Sequence, residues 1–549
     1  MRQNRVRLTA LAVLAAVGAA TMLTSCGTVP EGFHQEVVAK GFDLPTTWVQ
    51  PSSTVQYVAE KSGVVKVVSA GQVRSTPLVD LSRRVHDGAD RGLLGMALDP
   101  GFQTNGYLYV AYTYEDPTLA FDSRLQTQRV TRITVNRVSH IADAASERVI
   151  LGSVTGAACY GAWSTPDCMP STAALHTVGD LAFDPEGNLW VSVGDGAYWP
   201  FTDEAASYRA QDVNVLAGKL LRLDPVTGQG VPGNPFFQPD APGSNASKVY
   251  AYGFRNPFRF SFRPGSSVPY VGDVGESTYE EINVVQPGGN YGWPCYEGPA
   301  KQPQFANLAV CQPMYRAGTR VVAPAAYYGH SDQGVSIIGG AFYPGSSNYP
   351  ADYVDNYVYG DYNAFVRRQK FTSTGAKSGD AMTFVAKESA GAPVKFAVGP
   401  DGNLWYLSIY PGELRRLVYD GKQATTPTTS SPAQPGSAPT VAVTSPVDLV
   451  RVAQGSTVAF TATADDAEDG ALPASSITVD VTFVHYSSGT SHLHPYQTTA
   501  GNAGSFVASG AHGPGYFRIT ARAIDTSGRA TTSPPVNVCL GGQNYGPCA

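Results

Sequence analysis

The chain has 549 residues, which is too many for one compact core, so at least two domains are expected. It is rich in glycine, proline and aromatic residues and only 15% of it is charged, a mixture typical of turn-rich, all-β proteins. The net charge of -6 comes without a long basic run, which excludes the positive footprint that a nucleic-acid partner requires.

The first 25 residues are predicted to be a bacterial lipoprotein signal peptide. Three arginines precede an apolar run over residues 8–23, which is too short and too alanine-rich for a membrane span. The run ends at Leu-Thr-Ser-Cys, which resembles a lipobox whose cysteine, Cys26, becomes the lipidated first residue of the mature chain. The alternative is an ordinary cleavage site with a chance cysteine. We expect an exported protein, anchored to the outer side of the bacterial cell membrane through Cys26 and a tether over residues 26–35.

The other six cysteines form three pairs that are close in sequence. An oxidising compartment favours disulfides, and each would close a short loop that stabilises the fold by roughly 2–3 kcal/mol. Metal ligation is the alternative, but none of the pairs has the two-residue spacing of a CxxC site. The predicted disulfides are Cys159–Cys168, Cys295–Cys311 and Cys539–Cys548.

Residues 36–421 contain a weak internal repeat of short aromatic and aliphatic runs, several of which follow an Asp-Pro-x-Gly or Pro-Asp-Gly turn. Such runs are typical of β-strands, and the sequence has no long stretch with helical periodicity. The repeat favours an all-β fold, a six-bladed β-propeller; a long array of β-sandwiches is the alternative, which predicts more even spacing and no shared turn. The runs lie at 55–60, 106–112, 187–195, 268–275, 355–362 and 402–408.

A Pro/Thr/Ser tract over residues 422–437 is predicted to be an extended linker. It leads to residues 438–549, where alternating apolar residues and regular turn signals favour an Ig-like β-sandwich with its last strand at 516–528. This module would be an accessory for contact with cell wall or polysaccharide. Its His492 and His494, with the acidic turn DDAEDG, are compatible with a metal site; the alternative is a solvated acidic turn and a surface histidine pair.

Four segments of the large body resemble a known family. Taken in order, they are similar to the glucose/sorbosone dehydrogenases, soluble sugar dehydrogenases that use pyrroloquinoline quinone (PQQ). This resemblance covers most of residues 36–420, and it implies a six-bladed propeller that binds PQQ and calcium. The segments are DRGLLGMALDPGFQTNGYLYVAYT at 90–113, HTVGDLAFDPEGNLWVSVGDG at 176–196, AQDVNVLAGKLLRLDP at 210–225 with PGNPF at 232–236, and YAYGFRNPFRFSFRPG at 250–265 continuing through VGDVGESTYEEINVVQPGGNYGWPCYEG at 271–298.

The resemblance implies that His176 is the general base that takes the proton of the sugar's anomeric hydroxyl, a role suited to imidazole because it titrates near neutral pH. Asp195 matches the acidic partner of that histidine, which would hold the imidazole in one tautomer. Arg255 and Asn256 match a pair that faces the quinone and the sugar, where guanidinium donors suit anionic oxygens. From the residues alone, the alternatives are a histidine at a sheet edge, a turn aspartate and a loop-anchoring arginine.

The resemblance also implies a calcium site. Gly275 and Glu276 match positions whose backbone carbonyls hold calcium beside the quinone, where the ion would polarise the reactive carbonyl. The pair Glu280-Glu281 follows directly and is a second metal candidate. In the family pattern this pair begins a strand, so we expect it to be structural.

The chain departs from the family where the cofactor is clamped. PQQ has three carboxylates and needs several cationic partners. The glutamine expected before GLLG is replaced by Asp90-Arg91, the acidic residue before the histidine is Leu175, and the lysine expected near 360–366 is missing, as is an Arg-x-Arg before the last Pro-Asp-Gly turn. The candidates to replace these cations are Arg91, Lys395, Arg367 and Arg368.

The sequence therefore predicts a PQQ-dependent oxidoreductase that oxidises the anomeric hydroxyl of an aldose to a lactone. Electrons would pass to an external acceptor, because the chain contains no CxxCH haem motif. A non-catalytic cell-surface propeller that binds glycan or protein is the alternative. A hydrolase is disfavoured because the sequence contains no GxSxG motif.

Overall fold

The computed structural model describes most of the chain after residue 28. The described ranges are 29–119, 125–172, 174–196, 208–316, 321–330, 334–345, 348–362, 365–421, 439–487, 490–508, 515–525, 530–542 and 544–548. Cys26, the signal peptide and the linker at 422–437 lie outside them, so these remain sequence predictions.

Within these ranges, residues 33–419 form six antiparallel sheets, numbered here in chain order from the sheet that begins at Pro45 to the sheet that begins at Pro393. Sheet 1 contains β2 (Pro45–Ser52), β3 (Val55–Glu60), β4 (Val64–Ser69), β5 (Gln72–Val73) and β6 (Val79–Asp80). Sheet 2 contains β7 (Leu93–Leu98), β8 (Tyr107–Tyr114), β9 (Thr127–Asn136) and β10 (Ile141–Leu151). Sheet 3 contains β11 (Val178–Phe183), β12 (Leu189–Val193), β13 (Lys219–Leu223) and β14 (Val249–Tyr252).

The remaining three sheets repeat this arrangement. Sheet 4 contains β15 (Pro257–Phe262), β16 (Pro269–Asp273), β17 (Tyr279–Val284) and β20 (Ala326–Gly329), with a small hairpin of β18 (Tyr296–Glu297) and β19 (Ala300–Lys301) inserted. Sheet 5 contains β21 (Ile337–Phe342), β22 (Asn356–Asp361), β23 (Phe365–Phe371) and β24 (Lys377–Val385). Sheet 6 contains β25 (Pro393–Val398), β26 (Leu404–Ser408), β27 (Glu413–Tyr419) and β1 (Phe33–Lys40).

The six repeat runs identified in the sequence are confirmed as strands. They correspond to β3, β8, β12, β16, β22 and β26, and each is the second strand of its sheet. Second strands are covered on both faces by neighbouring sheets, and β3, for example, is buried at every residue. This burial explains why aromatic and β-branched residues recur there.

The first strands of the six sheets, called the inner strands, contact one another in a closed ring, β2 to β7, β11, β15, β21, β25 and back to β2. Arg259 of β15 lies inside this ring and is only 2% exposed. Its guanidinium donates to the carbonyls of Val394 on β25 and Thr46 on β2, at 2.9 and 2.8 Å, and to that of Gly179 on β11. One side chain therefore ties four inner strands together near their first residues.

The two ends of the ring are distinct. The site end is where the inner strands begin, and the tether end is where they finish. In sheet 6, Pro393 aligns with Ser408 at the site end, whereas Phe33 pairs with Tyr419 at the tether end. Because β1 begins at Phe33, the last residues of the predicted tether are part of the sheet.

The C-terminal residues form two sheets around one apolar core, which includes Phe460, Phe483 and Phe517. The first sheet contains β28 (Thr440–Ser445), β30 (Thr457–Asp466), β31 (Gly470–Ala471) and β34 (Ala503–Val507). The second contains β29 (Val450–Val452), β32 (Ile477–Ser487), β33 (Thr490–Ala500), β35 (Gly515–Ile524), β36 (Ala530–Thr532) and β37 (Val536–Leu540).

The C-terminal module differs from the sequence prediction in its last strand, and its acidic turn is an ordinary turn. The strand predicted at 516–528 exists as β35, but it is not the last: β37 follows, in a proline-flanked stretch too short for its alternation to stand out. In the acidic turn, Asp466 accepts hydrogen bonds from the backbone of Glu468 and Asp469, as a turn aspartate does. His492 lies opposite His485 in the β32–β33 pair, but the side chains of both lie outside the described part, so the metal site stays a prediction.

All three predicted disulfides are present in the structure. The described helices are short: Phe102–Asn105, Gly156–Gly161, Asn245–Lys248, Cys311–Met314 and Lys387–Ala390, with 3-10 turns at Arg209–Gln211, Ala351–Tyr353, Ala474–Ser476 and Gly546–Cys548. None of the helices in the described ranges has the length and apolar character needed to cross a bilayer.

The ring should depend on Arg259. In Arg259→Met, three buried carbonyls lose their donor, so we expect the free energy of unfolding to fall by about 3 kcal/mol or more. The matched control is Arg148→Met, on the exposed strand β10, which should change stability by no more than about 0.5 kcal/mol. Urea denaturation of both variants measures the difference, and equal losses would refute the role of Arg259.

Candidate functional site

Four of the predicted site residues meet at the site end of the ring, on sheets 3 and 4. His176 lies just before β11, and Asp195 lies just after β12. Arg255 and Asn256 lie just before β15. The two sheets are joined there by a backbone hydrogen bond of 2.8 Å from the amide of Asp195 to the carbonyl of Arg255. Strand ends of a closed ring thus bring together residues that are 80 positions apart in the sequence.

His176 is held in a fixed orientation by Asp195. Its Nδ1 lies 2.7 Å from Oδ1 of the aspartate, and the two residues are 8% and 1% exposed. The backbone of His176 has a φ of +51°, a conformation that a non-glycine residue rarely adopts and that is common at functional sites. Gly194 makes this approach possible, because a Cβ there would lie 2.3 Å from the carbonyl oxygen of His176.

Trp293 completes this arrangement and was not identified from the sequence. Its indole Nε1 donates to the second carboxylate oxygen of Asp195 at 2.7 Å. With one oxygen bonded to the indole and the other to the imidazole, the carboxylate of Asp195 cannot rotate without losing a hydrogen bond. Nδ1 of His176 is therefore the protonated nitrogen, and Nε2 is left as the basic one. Trp293 lies within the stretch NYGWPC that carries the family resemblance, but no motif indicated its role.

Arg255 lies beside His176, Asp195 and Trp293, and it remains charged. These residues together are called the His176–Arg255 group. The Arg255 guanidinium pairs with the carboxylate of Glu276, donates to the carbonyl of Val274 at 3.1 Å, and lies 5.4 Å from the ring centre of Trp293. Burial lowers the pKa of Arg255, but the carboxylates of Glu276, Asp195 and Glu297 outweigh burial and raise it. The Nε–H group is buried and has no hydrogen-bond partner among the described residues.

Two further carboxylates, neither of them predicted from the sequence, position the loops around Arg255. Asp273, at the end of β16, accepts from the backbone amides of Arg255 and Asn256 at 3.1 and 2.7 Å. Burial, with a contribution from Glu281, raises the pKa of Asp273 well above its usual range. Glu297 accepts four backbone amides, those of residues 276–279, on one oxygen. A side chain that acts on backbone groups has no sequence signature, so neither role could be predicted.

The predicted calcium ligands, Gly275 and Glu276, lie on this same loop. Asp273, Glu281 and Glu297 line a small cavity there, next to Arg255. Across the described part of the chain, no three His, Cys, Asp or Glu side chains are arranged to hold a metal ion. Of the Glu280-Glu281 pair, Glu280 bonds His330 at 2.7 Å and the amide of Ile337 at 2.8 Å, and burial raises its pKa. These contacts agree with the structural interpretation of Glu280.

Each of the four cations proposed to replace the missing clamp residues contacts another protein group. Arg91 is 3% exposed, and it donates to the carbonyl and hydroxyl of Ser171 at 2.6 and 3.2 Å. Lys395 pairs with the buried carboxylate of Asp180 at 2.5 Å inside the ring. The other two lie on β23, the third strand of sheet 5: Arg367 stacks 3.7 Å over Phe365, and Arg368 pairs with Asp352. All four cations thus make hydrogen bonds, ion pairs or ring contacts with other residues of the protein.

Known proteins are similar to this chain over most of the ring. A family model described as Glucose / Sorbosone dehydrogenase matches residues 47–416. Quinoprotein glucose dehydrogenase B of Acinetobacter calcoaceticus is 27% identical over 321 residues, covering 54% of this chain and 61% of that protein. The HIPL2 protein of Arabidopsis thaliana is 28% identical over 327 residues, covering 52% of this chain and 44% of that protein. The chain thus matches roughly half the length of these two curated relatives.

The fold is shared with a solved structure. The PQQ-bound aldose sugar dehydrogenase of Streptomyces coelicolor matches with a TM-score of 0.51 at 20% identity, over 71% of this chain and 99% of that one. At 20% identity the similarity shows the all-β fold but gives no evidence on the reaction.

The tautomer of His176 provides a test of the site that needs no substrate. In Asp195→Ala the imidazole loses its acceptor, so we expect a mixture of tautomers where the unaltered protein has Nδ1 protonated. Nitrogen-15 NMR of the labelled histidine rings distinguishes the two states. Asp212→Ala, which removes an exposed aspartate in the segment between β12 and β13, should leave the His176 signals unchanged. The arrangement described here would be wrong if the tautomer population did not depend on Asp195.

Proposed function

Since the chain belongs to the glucose/sorbosone dehydrogenase family, we propose that it is a PQQ-dependent enzyme that oxidises the anomeric hydroxyl of an aldose to a lactone and passes the electrons to an external acceptor. The observation that carries this proposal is the His176–Asp195–Trp293 arrangement at the site end of the ring. It leaves a basic imidazole nitrogen, Nε2, on a histidine whose position matches the family's general base.

His176, Asp195 and Arg255 would have separate roles in removing the proton. Nε2 of His176 takes the proton of the anomeric hydroxyl as the hydride leaves the same carbon, so the sugar loses two electrons and two hydrogens. Asp195 stabilises the imidazolium that forms, and the indole of Trp293 keeps the carboxylate in place. Arg255 stabilises the negative charge that develops nearby, because its guanidinium is buried and already oriented.

The donor set near Arg255 fits an anionic cofactor. The buried Nε–H of Arg255, which lacks a partner in the described part of the protein, would be satisfied by a carboxylate or quinone oxygen. Arg255 and Asn256 are thus the residues that would hold PQQ, while the other cations are engaged in structural contacts. When bound, PQQ supplies a two-electron acceptor for the hydride.

Calcium is part of the proposal. The loop with Gly275 and Glu276 would offer backbone carbonyls to the ion, and hard oxygen ligands are what calcium prefers. Glu297 keeps this loop in one conformation through its four amide contacts. The loop is therefore preorganised for a ligand on its carbonyl side.

We further propose the architecture and location that these parts imply. The six sheets of residues 36–421, closed by β1, would be six propeller blades, and residues 438–549 would be an Ig-like sandwich for contact with cell wall or polysaccharide. Residues 1–25 would be the signal peptide, and lipid on Cys26 would anchor the protein to the outer side of the cell membrane. Support comes from the closed ring of inner strands and from the lipobox-like sequence.

A second function is favoured by one observation. Arg91, Lys395 and Arg367, which would be needed to clamp the three carboxylates of PQQ, are engaged in other contacts. A ring with a weakened cofactor site would serve as a non-catalytic module that binds glycan or protein on the cell surface. Such a binding module would not require Nε2 of His176 as a base.

Turnover distinguishes the two functions. The protein, supplied with PQQ, calcium and an artificial electron acceptor, should oxidise at least one member of an aldose panel. Removal of the base in His176→Ala should lower kcat by about 100-fold or more. His34→Ala, which alters a half-buried histidine at the tether end, should leave kcat unchanged. Absence of sugar oxidation by the unaltered protein would favour the binding module, whereas equal rates of oxidation in all three proteins would show that His176 is not the base.

A further inference from the structure

The two ends of the chain segment that forms the ring leave it at the same place. Phe33, where β1 begins, pairs with Tyr419, where β27 finishes, and the amide of Asp420 donates to the carbonyl of Gly32 at 3.1 Å. Both points lie at the tether end, because the opposite end of the same sheet carries Pro393 and Ser408. The His176–Arg255 group lies at the site end, across the full length of the strands.

The chain between a lipid on Cys26 and the ring is short. Val29 is already packed in the apolar cluster around Phe33 and is 9% exposed. Val29 lies three positions after Cys26, and a fully extended chain spans about 10 Å over that distance. The site end is farther away by the length of β1, whose eight residues extend about 27 Å. A lipid at Cys26 therefore reaches a bilayer from the tether end and not from the site end.

Exposed aliphatic side chains agree with this orientation. Val138, in the turn between β9 and β10, is 90% exposed, and Val226, in the loop after β13, is 64% exposed. They are the two most exposed large apolar residues among those described before residue 421, and both loops lie at the tether end, as the strand registers show. Val268 and Val354, 41% and 38% exposed, lie in two further loops of the same end. At the site end, Leu44 and Val335 are each 36% exposed, so the strongly exposed side chains are those of the tether end. Single exposed apolar residues are ordinary, but their repetition around one rim suits a surface that rests on lipid headgroups.

We propose that the tether end of the ring lies against the outer surface of the bilayer, with its valine-bearing loops facing the lipid, so that the site end faces away from the membrane. The inference rests on the proposed lipid anchor at Cys26. It adds that sugar reaches His176 from the aqueous phase, on the side of the ring farthest from the bilayer. Residue 421, from which the chain continues to the C-terminal module, also leaves the ring on the membrane side.

The orientation is tested with the full-length lipidated protein in vesicles of phosphatidylglycerol and phosphatidylethanolamine. Single cysteines are introduced by Val138→Cys and Val226→Cys at the tether end, and by Val149→Cys as the matched control. Val149 is 41% exposed and lies near the other end of β10, so it places the label at the opposite height of the ring, on the same sheet as Val138. Each is labelled with a small fluorophore, and quenching by nitroxide lipids is measured.

We expect several-fold stronger quenching at Val138→Cys and Val226→Cys than at Val149→Cys. Equal quenching at all three positions, or stronger quenching at Val149→Cys, would overturn the orientation. Flotation with the vesicles reports on the anchor separately: the unaltered protein should float and Cys26→Ser should not. If the unaltered protein does not float, both the anchor and the orientation are wrong, whereas sugar oxidation by the same preparation would be unaffected.

Discussion

The structure depends on the closure of the inner strands around Arg259. A ring of six sheets has room at its centre, and a buried guanidinium fills that room while bonding the carbonyls of three other inner strands. Burial lowers the pKa of Arg259 to about 10, which still leaves it charged at neutral pH. Because the site residues lie on loops attached to these strands, the position of each loop follows from the ring. His176 and Arg255 are near neighbours only because β11 and β15 are adjacent.

The binding of an anionic cofactor is also constrained by the charged side chains at the site end. The site end contains several buried carboxylates, but most candidate cations are engaged in structural contacts, Arg91 with Ser171 and Lys395 with Asp180. Arg255 is the exception, since it has a buried donor without a partner among the described residues. A cofactor with three carboxylates would therefore depend strongly on Arg255 and on a cation such as calcium. This dependence distinguishes the two proposed functions more sharply than the fold does.

Much of the fold and part of the site could be predicted from the sequence. The aromatic runs indicated the second strand of every sheet because those strands are buried on both faces, and the cysteine spacing indicated all three disulfides. His176 and Arg255 were found through family resemblance, and the structure places them together. Trp293, Asp273 and Glu297 were missed because each acts on a group brought near by the fold, often a backbone amide. The cation candidates were chosen by residue type, and sequence cannot show that a charge already has a partner.

If Arg255 holds an anionic quinone beside His176, its removal should weaken the binding of PQQ. Calorimetric titration of PQQ, with calcium, into the unaltered protein, Arg255→Met and Arg263→Met measures this effect. Arg263→Met is the control, because that guanidinium lies at the tether end beside Asp355. We expect saturable binding of one PQQ per chain, weakened about tenfold or more only in Arg255→Met. Absence of binding to the unaltered protein at about 50 µM PQQ, or equal affinity in all three proteins, would contradict it.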